Sequence, residues 1–217
     1  YGRECADTAQ ALAAVDELAD RGAAVIKISL AGGPRLSDET LAAVVERTHA
    51  RGLKVIAHTL GDAEAAQAAA LGVDALAHTP LEPLAAATIA ALKDRAVITT
   101  LHAFGAGDGA IANLAALREA GATILYGTDL GNSTTPGIDA LEVAAMTEAG
   151  MDGAAILDAL TAAPATFWGL PHGRVEVGAP ASLLILSGDP EAEPLHLSAP
   201  EAVYLSGARI DGGRRGR

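Results

Sequence analysis

Four residues of this 217-residue chain combine a reactive side chain with a position where chemistry is commonly done. Lys27 interrupts the apolar run AAVIKIS, His58 closes LKVIAH, His78 closes VDALAH, and Asp129 follows ATILYGT. Imidazole plus carboxylate is a ligand set suited to zinc and other first-row divalent metals. A metal-bound water supplies hydroxide near neutral pH, and a carboxylate beside it can act as base. Each residue alone has a plainer reading. A lysine in an apolar run marks a segment that is not a strand, or a buried ion pair; a histidine at a strand end is a hydrogen-bonded loop residue, and an aspartate after a strand is an N-cap. Together, all four fall at one edge of successive parallel strands. Burying charge is costly unless it is paired or metal-bound, so packing alone explains the set poorly.

The elements that position them follow from the apolar pattern. Residues 53–57 read as a buried strand ending at His58. Asp62 is placed to cap a helix over 63–71, Gly72 stops it, and 73–77 is a second strand ending at His78. Strand, helix and parallel strand in so few residues form a βαβ unit, with imidazoles at the C-terminal ends where α/β folds bind ligands. Upstream, a helix over 6–21, a buried strand over 23–29, a loop over 31–34 and a helix capped by Ser37 and stopped by Gly52 are expected. Downstream come a helix over 82–95, a strand over 96–101 with His102 just past its end, a glycine-rich loop over 105–109, a helix over 110–120 and a strand over 122–127. Five strands alternating with helices predict an α/β fold with a parallel sheet and right-handed crossovers. After Asp129 the pattern changes. A polar loop over 131–137, helices over 138–149 and 152–162, and a further helical turn over 164–170 are expected. Strands over 183–186, 202–205 and around Arg209 then read as part of a small antiparallel subdomain.

Composition narrows the function. Half of the residues are hydrophobic but only 3% are aromatic, so Ala, Val, Leu and Ile must build the core. A net charge of -12 argues against a nucleic-acid partner, because phosphate neutralisation needs a basic surface. The one basic run, Arg214, Arg215 and Arg217, reads as a disordered end. Cys5 is alone, which excludes a disulfide framework and a cysteine zinc site. No apolar run approaches the roughly 20 residues of a membrane span, and no signal peptide opens the chain, so a cytoplasmic protein acting on a small molecule is expected, with no membrane partner.

The ordered motifs resemble the C-terminal half of an amidohydrolase-superfamily enzyme of the imidazolonepropionase and prolidase-like group. VIKI resembles that group's strand-four lysine segment, VIAH its strand-five histidine, DALAH its strand-six histidine and YGTD its strand-eight aspartate. ALEVAAMTEAGM and ILDALTAAPATFWGL resemble the helices that follow, and GRVEVGAPASLLILSGDP the return into a β-sandwich, with Ser182 where the group usually carries Asp. The resemblance implies a partial TIM (β/α)8 barrel, strands four to eight, over 1–172, and a β-sandwich portion over 173–217. It implies a divalent metal cofactor, zinc above all, as one or two ions. Lys27, His58, His78 and Asp129 would be the metal ligands, with Lys27 carbamylated if the centre is binuclear. His58 and His78 would hold the more exposed metal. Members without the lysine bridge bind one metal, and there the strand-six histidine hydrogen-bonds instead. Asp129 would take the proton of the attacking water. His102 and Glu142 are candidate substrate-binding residues, Glu142 with the alternatives of a supporting role or a solvated helix face. His49, near a helix C-terminus, is read as structural, and His172 and His196 as exposed loop residues.

The chain departs from the group in lacking the strand-one His-x-His pair and barrel strands one to three. It is therefore expected to be a fragment, to bind metal weakly alone, and to expose raw sheet edges that invite association, a homo-oligomer included. Two other readings stand beside metal-dependent hydrolysis of an amide, cyclic amide or dipeptide bond. One is a Schiff-base aldolase with Lys27 as nucleophile; the other is an inactive remnant of the hydrolase fold.

Overall fold

The ends of five short strands fix where every candidate residue sits. The structure is a computed structural model that describes residues 2–33, 35–134 and 136–210. Strands β1 (Val25–Ser29), β2 (Lys54–His58), β3 (Ala75–Ala77), β4 (Ala96–Ile98) and β5 (Thr123–Leu125) lie side by side in chain order. The pairs β1/β2, β2/β3 and β3/β4 are parallel, as strand–helix alternation requires. Chain contacts divide the molecule into two compact units, Tyr1–Ile98 with Ala116–Thr123, and Thr99–Ala115 with Ile124–Arg217.

In the first unit, helices α1 (Thr8–Asp20), α2 (Asp38–Ala50), α3 (Asp62–Leu71) and α4 (Ala86–Ala91) alternate with the strands. Capping sets their starts. Asp7 accepts the Gln10 N–H at 2.8 Å, and Ser37 Oγ accepts that of Thr40 at 3.2 Å. Helix α2 carries Asp38 and Glu39 in its first turn and Arg47 and His49 in its last, matching its dipole. Its buried stripe, Leu41, Val44, Val45 and Thr48, has helical spacing. Asp62 is not the N-cap of α3. Gly61 takes that position, and the Asp62 carboxylate accepts the Ala85 N–H at 2.8 Å instead. Helix α4 is much shorter than the 82–95 expected, because Pro83 precedes it and the chain turns after Ala91.

One expectation about β1 fails. The strand is buried on one face only: Ile26 and Ile28 are buried, while Lys27 and Ser29 are exposed. Successive side chains point to opposite faces, so Lys27 shares its face with Ser29, and Lys27 and Ser29 stand opposite Ile56 and His58 on β2. The cost of burying charge thus gives no argument for Lys27. The other face, with Ile26, Ile28, Val55, Ala57, Leu76 and Val97 at 0–7% exposure, is the aliphatic core that the composition predicts.

The second unit holds α6 (Ala140–Glu148), α7 (Gly153–Leu160) and α8 (Ala162–Trp168). An antiparallel sheet of β6 (Leu183–Ile185), β7 (Ala202–Leu205) and β8 (Ala208–Arg209) follows. Helix α5 (Asp108–Glu119) starts inside the stretch expected to be a loop, after a 3₁₀ turn over His102–Phe104. The Tyr126 N–H bonds to Ala159 O at 2.9 Å, tying the end of β5 to α7. On α8 the Phe167 and Trp168 rings meet edge to face, 4.7 Å apart. The basic run at Arg214, Arg215 and Arg217 lies outside the described residues.

Candidate active site

His58 and His78 end adjacent strands of the first unit, and their rings stand 4.8 Å apart, edge to face at 83°. The βαβ reading of residues 53–80 led to this pair. Register explains part of the meeting: His58 stands opposite Ala77, so His78 comes one residue later, where strand alternation would send its ring to the opposite face. The backbone breaks that alternation, since His78 has φ +80°, in the left-handed region that a non-glycine residue rarely adopts. Three of the five described non-glycine residues with positive φ are His78, Thr100 and Asp129, each just past the C-terminal end of a successive strand, β3, β4 and β5. Backbone strain of this kind costs on the order of 1–3 kcal/mol per residue and concentrates at functional sites.

His78 is 3% exposed, and Thr59, next to His58 in the chain, is fully buried with a hydroxyl that finds no hydrogen-bond partner among the described residues. Two imidazoles are half of a tetrahedral zinc shell, so the pair fits such an ion and leaves further ligands to be supplied. Among the described residues, no group of three or more His, Cys, Asp or Glu is arranged to hold a metal ion. Lys27 is exposed, with no ion pair or hydrogen bond among the described residues. It lines a cavity of about 720 Å³ with Arg3, Cys5 and Arg35.

In the second unit, Asp129 is half-buried and heads a turn. Its Oδ2 accepts from Asn132 Nδ2 at 2.7 Å, and its carbonyl accepts the Asn132 and Ser133 N–H groups. His102 follows β4, and its Nδ1 lies 2.7 Å from Asp139 Oδ2. Glu142 is 0% exposed, and its two carboxylate oxygens accept the N–H groups of Leu101 at 2.9 Å and His102 at 2.7 Å. Burial pushes the Glu142 carboxyl up, opposed by hydrogen bonds from Thr99, His102 and Leu101 and reinforced by the Asp139 charge. The solvated helix-face reading of Glu142 is excluded, and so buried a carboxylate has no free oxygen for a substrate; it holds the loop that carries His102.

Sequence reasoning missed Asp139 and Tyr126. Burial lifts the Asp139 carboxyl, but His102 and the N–H groups of Leu141 and Glu142 more than offset it, so the pKa lies below the ordinary 3.8. The signal available was the N-cap pattern of Asp139 ahead of α6, where its Oδ1 accepts the Leu141 N–H at 2.9 Å. Nothing local foretold its second partner, 37 positions away. The remaining histidines are peripheral. His49 Nε2 meets Asp74 Oδ2 at 2.9 Å, His172 is exposed, and His196 is half-buried with Nδ1 3.2 Å from Ser187 Oγ.

Similarities to known proteins follow the same lines. Uncharacterized proteins of Mycobacterium tuberculosis (strain ATCC 25618 / H37Rv) and Mycobacterium bovis (strain ATCC BAA-935 / AF2122/97) are each 30% identical over 240 residues, covering 95% of this chain. The chain spans 63% of the length of those relatives. Among solved structures, a Xaa-Pro dipeptidase with bound methionine superposes with a TM-score of 0.83 at 22% identity, over 95% of this chain and 59% of that one. The A. niger ochratoxinase gives 0.79 at 24% identity, over 98% and 56%. A molinate hydrolase gives 0.77 at 21%, over 94% and 55%. At such identities these structures establish the fold. Residues 4–210 match the sequence pattern of the Amidohydrolase family, and the chain belongs to that family.

Proposed function

We propose that the protein is a metal-dependent hydrolase of carbon–nitrogen bonds in an amide, cyclic amide or dipeptide. Residues 1–172 would be part of a TIM barrel and 173–217 part of a β-sandwich. The observation that carries the reading is the His58–His78 ring pair, 4.8 Å apart at the ends of neighbouring parallel strands. Family membership and the names of the fold neighbours, a dipeptidase and a molinate hydrolase among them, support the bond class.

His58 and His78 would hold the metal, with Lys27 as a further ligand once carbamylated and Asp129 as both ligand and base. When bound, a divalent ion such as zinc lowers the pKa of a water and polarises the substrate carbonyl. The protein's own part is positional. The strained backbone at His78 turns its imidazole toward His58, and the exposed Lys27 amine, once it has lost its proton, would add carbon dioxide and release a further proton as the carbamate forms. Asn132 holds one oxygen of the Asp129 carboxylate, leaving the other to accept a proton. An aldolase built on Lys27 would leave the histidine pair without a purpose.

The test is metal content of the full-length gene product, read by elemental analysis beside hydrolysis of an amide panel. H58A and H78A should each lose bound zinc, and chelation should abolish hydrolysis that added zinc restores. Unchanged metal content in both variants would overturn the reading.

A further inference from the structure

The second unit holds a cluster that metal binding does not use. Asp139, 2% exposed, has one carboxylate oxygen on His102 Nδ1 and the other on the Leu141 N–H. Its own N–H donates to Tyr126 Oη at 2.6 Å. Glu142 holds the backbone of His102 by accepting its N–H. The imidazole is thus fixed at ring and backbone by buried polar groups, yet its side chain is 35% exposed. Buried polar groups are costly unless paired, and an apolar turn would close the strand at less cost. Packing therefore does not account for the arrangement.

A carboxylate on Nδ1 selects the tautomer with its proton there and leaves the Nε2 lone pair free. The same carboxylate stabilises the imidazolium when Nε2 takes a proton. We propose that His102 Nε2 is a catalytic acid–base group that protonates the leaving nitrogen of an amide substrate, with Asp139 orienting the ring and Glu142 and Tyr126 as positioning residues. The choice of reaction rests on the hydrolase reading above; the dyad does not. In the step, the C–N bond of the tetrahedral adduct breaks and its electron pair passes to nitrogen. That nitrogen takes the Nε2 proton as the acyl carbonyl re-forms. Asp129 releases to solvent the proton it took from the attacking water, and Nε2 takes one back from solvent, so each cycle consumes one water and yields one acid and one amine. Among the described residues, the ionisable groups bonded to His102 are Asp139 at the ring and Glu142 at the backbone, and Tyr126 bonds the Asp139 N–H. Burial lifts the Tyr126 phenol to about 12, against the Asp139 N–H and with the charges of Glu142 and Asp139, so it stays neutral.

Leaving groups supply the test. An amine must be protonated to depart, whereas p-nitrophenolate leaves unaided. The full-length gene product is assayed on an alkyl amide and a p-nitrophenyl ester of one acyl group. H102Q should lower kcat on the amide about 10²–10⁴-fold and leave the ester rate nearly unchanged. D139N should lower kcat on the amide with KM unchanged, and ¹⁵N NMR should show the neutral His102 ring moving from the Nδ1–H to the Nε2–H form. If H102Q fails to fold, as judged by circular dichroism, the same amide-to-ester ratio is read from D139N. Equal losses on both substrates, or none while H58A abolishes turnover, would overturn the proposal alone. No turnover of either substrate by the wild type would overturn the hydrolase reading and the proposal with it.

Discussion

Glu142 shows how much one buried carboxylate can hold. Its oxygens face two backbone donors, so the amide of E142Q would aim a donor at a donor. Leaving a buried N–H unsatisfied costs about 1–3 kcal/mol, and E142Q should lose that much in urea unfolding. Asp139 makes a pH prediction. A carboxyl with a lower pKa in the folded than in the unfolded state binds fewer protons when native. Its contribution is complete above the ordinary value of 3.8 and is lost as pH falls through the lower native one. The stability gap between wild type and D139N should therefore be widest above the ordinary value of 3.8 and narrow as pH falls below it. At this scale the sequence was partly legible. His58 and His78 stand where apolar runs end, which residue types reveal. The partners of His102 are legible only in the fold, because a hydrogen bond spanning 37 positions leaves no local trace.

Strand and helix types were read with little error, since apolar period and capping residues act locally. Strand ends shifted by one to three residues, the most at β4, which stops at Ile98, and β7 falls on 202–205 as read. What period alone could not reveal was which face of β1 is covered, and that decides the environment of Lys27. Helix α7 makes a prediction at this scale. Gly153 opens it, and a Cβ there would overlap the Glu191 carbonyl oxygen. Alanine gains up to about 1 kcal/mol over glycine in a helix interior. A backbone oxygen cannot swing aside as a side chain does, and overpacking costs about 1–3 kcal/mol. The clash should win, and G153A should lower the melting temperature.

At the scale of the whole molecule, charge is the clearest quantity. A formal charge of -12 and a pI near 4.8 imply self-repulsion at neutral pH. Raising NaCl from about 10 to 200 mM shortens the Debye length from about 30 Å to under 10 Å, so the melting temperature should rise. Duplex DNA should show no binding by fluorescence anisotropy at either salt. No described helix is long and apolar enough to cross a membrane. The same composition makes the core almost purely aliphatic, and this has an optical consequence. The single tryptophan, Trp168, sits on α8 against Phe167, and Tyr126 and Tyr204 belong to the same unit. The emission of Trp168 therefore follows unfolding of the second unit. The described residues of the first unit, His58 and His78 among them, include no tryptophan or tyrosine, so structure there is followed directly by a tryptophan introduced in that unit.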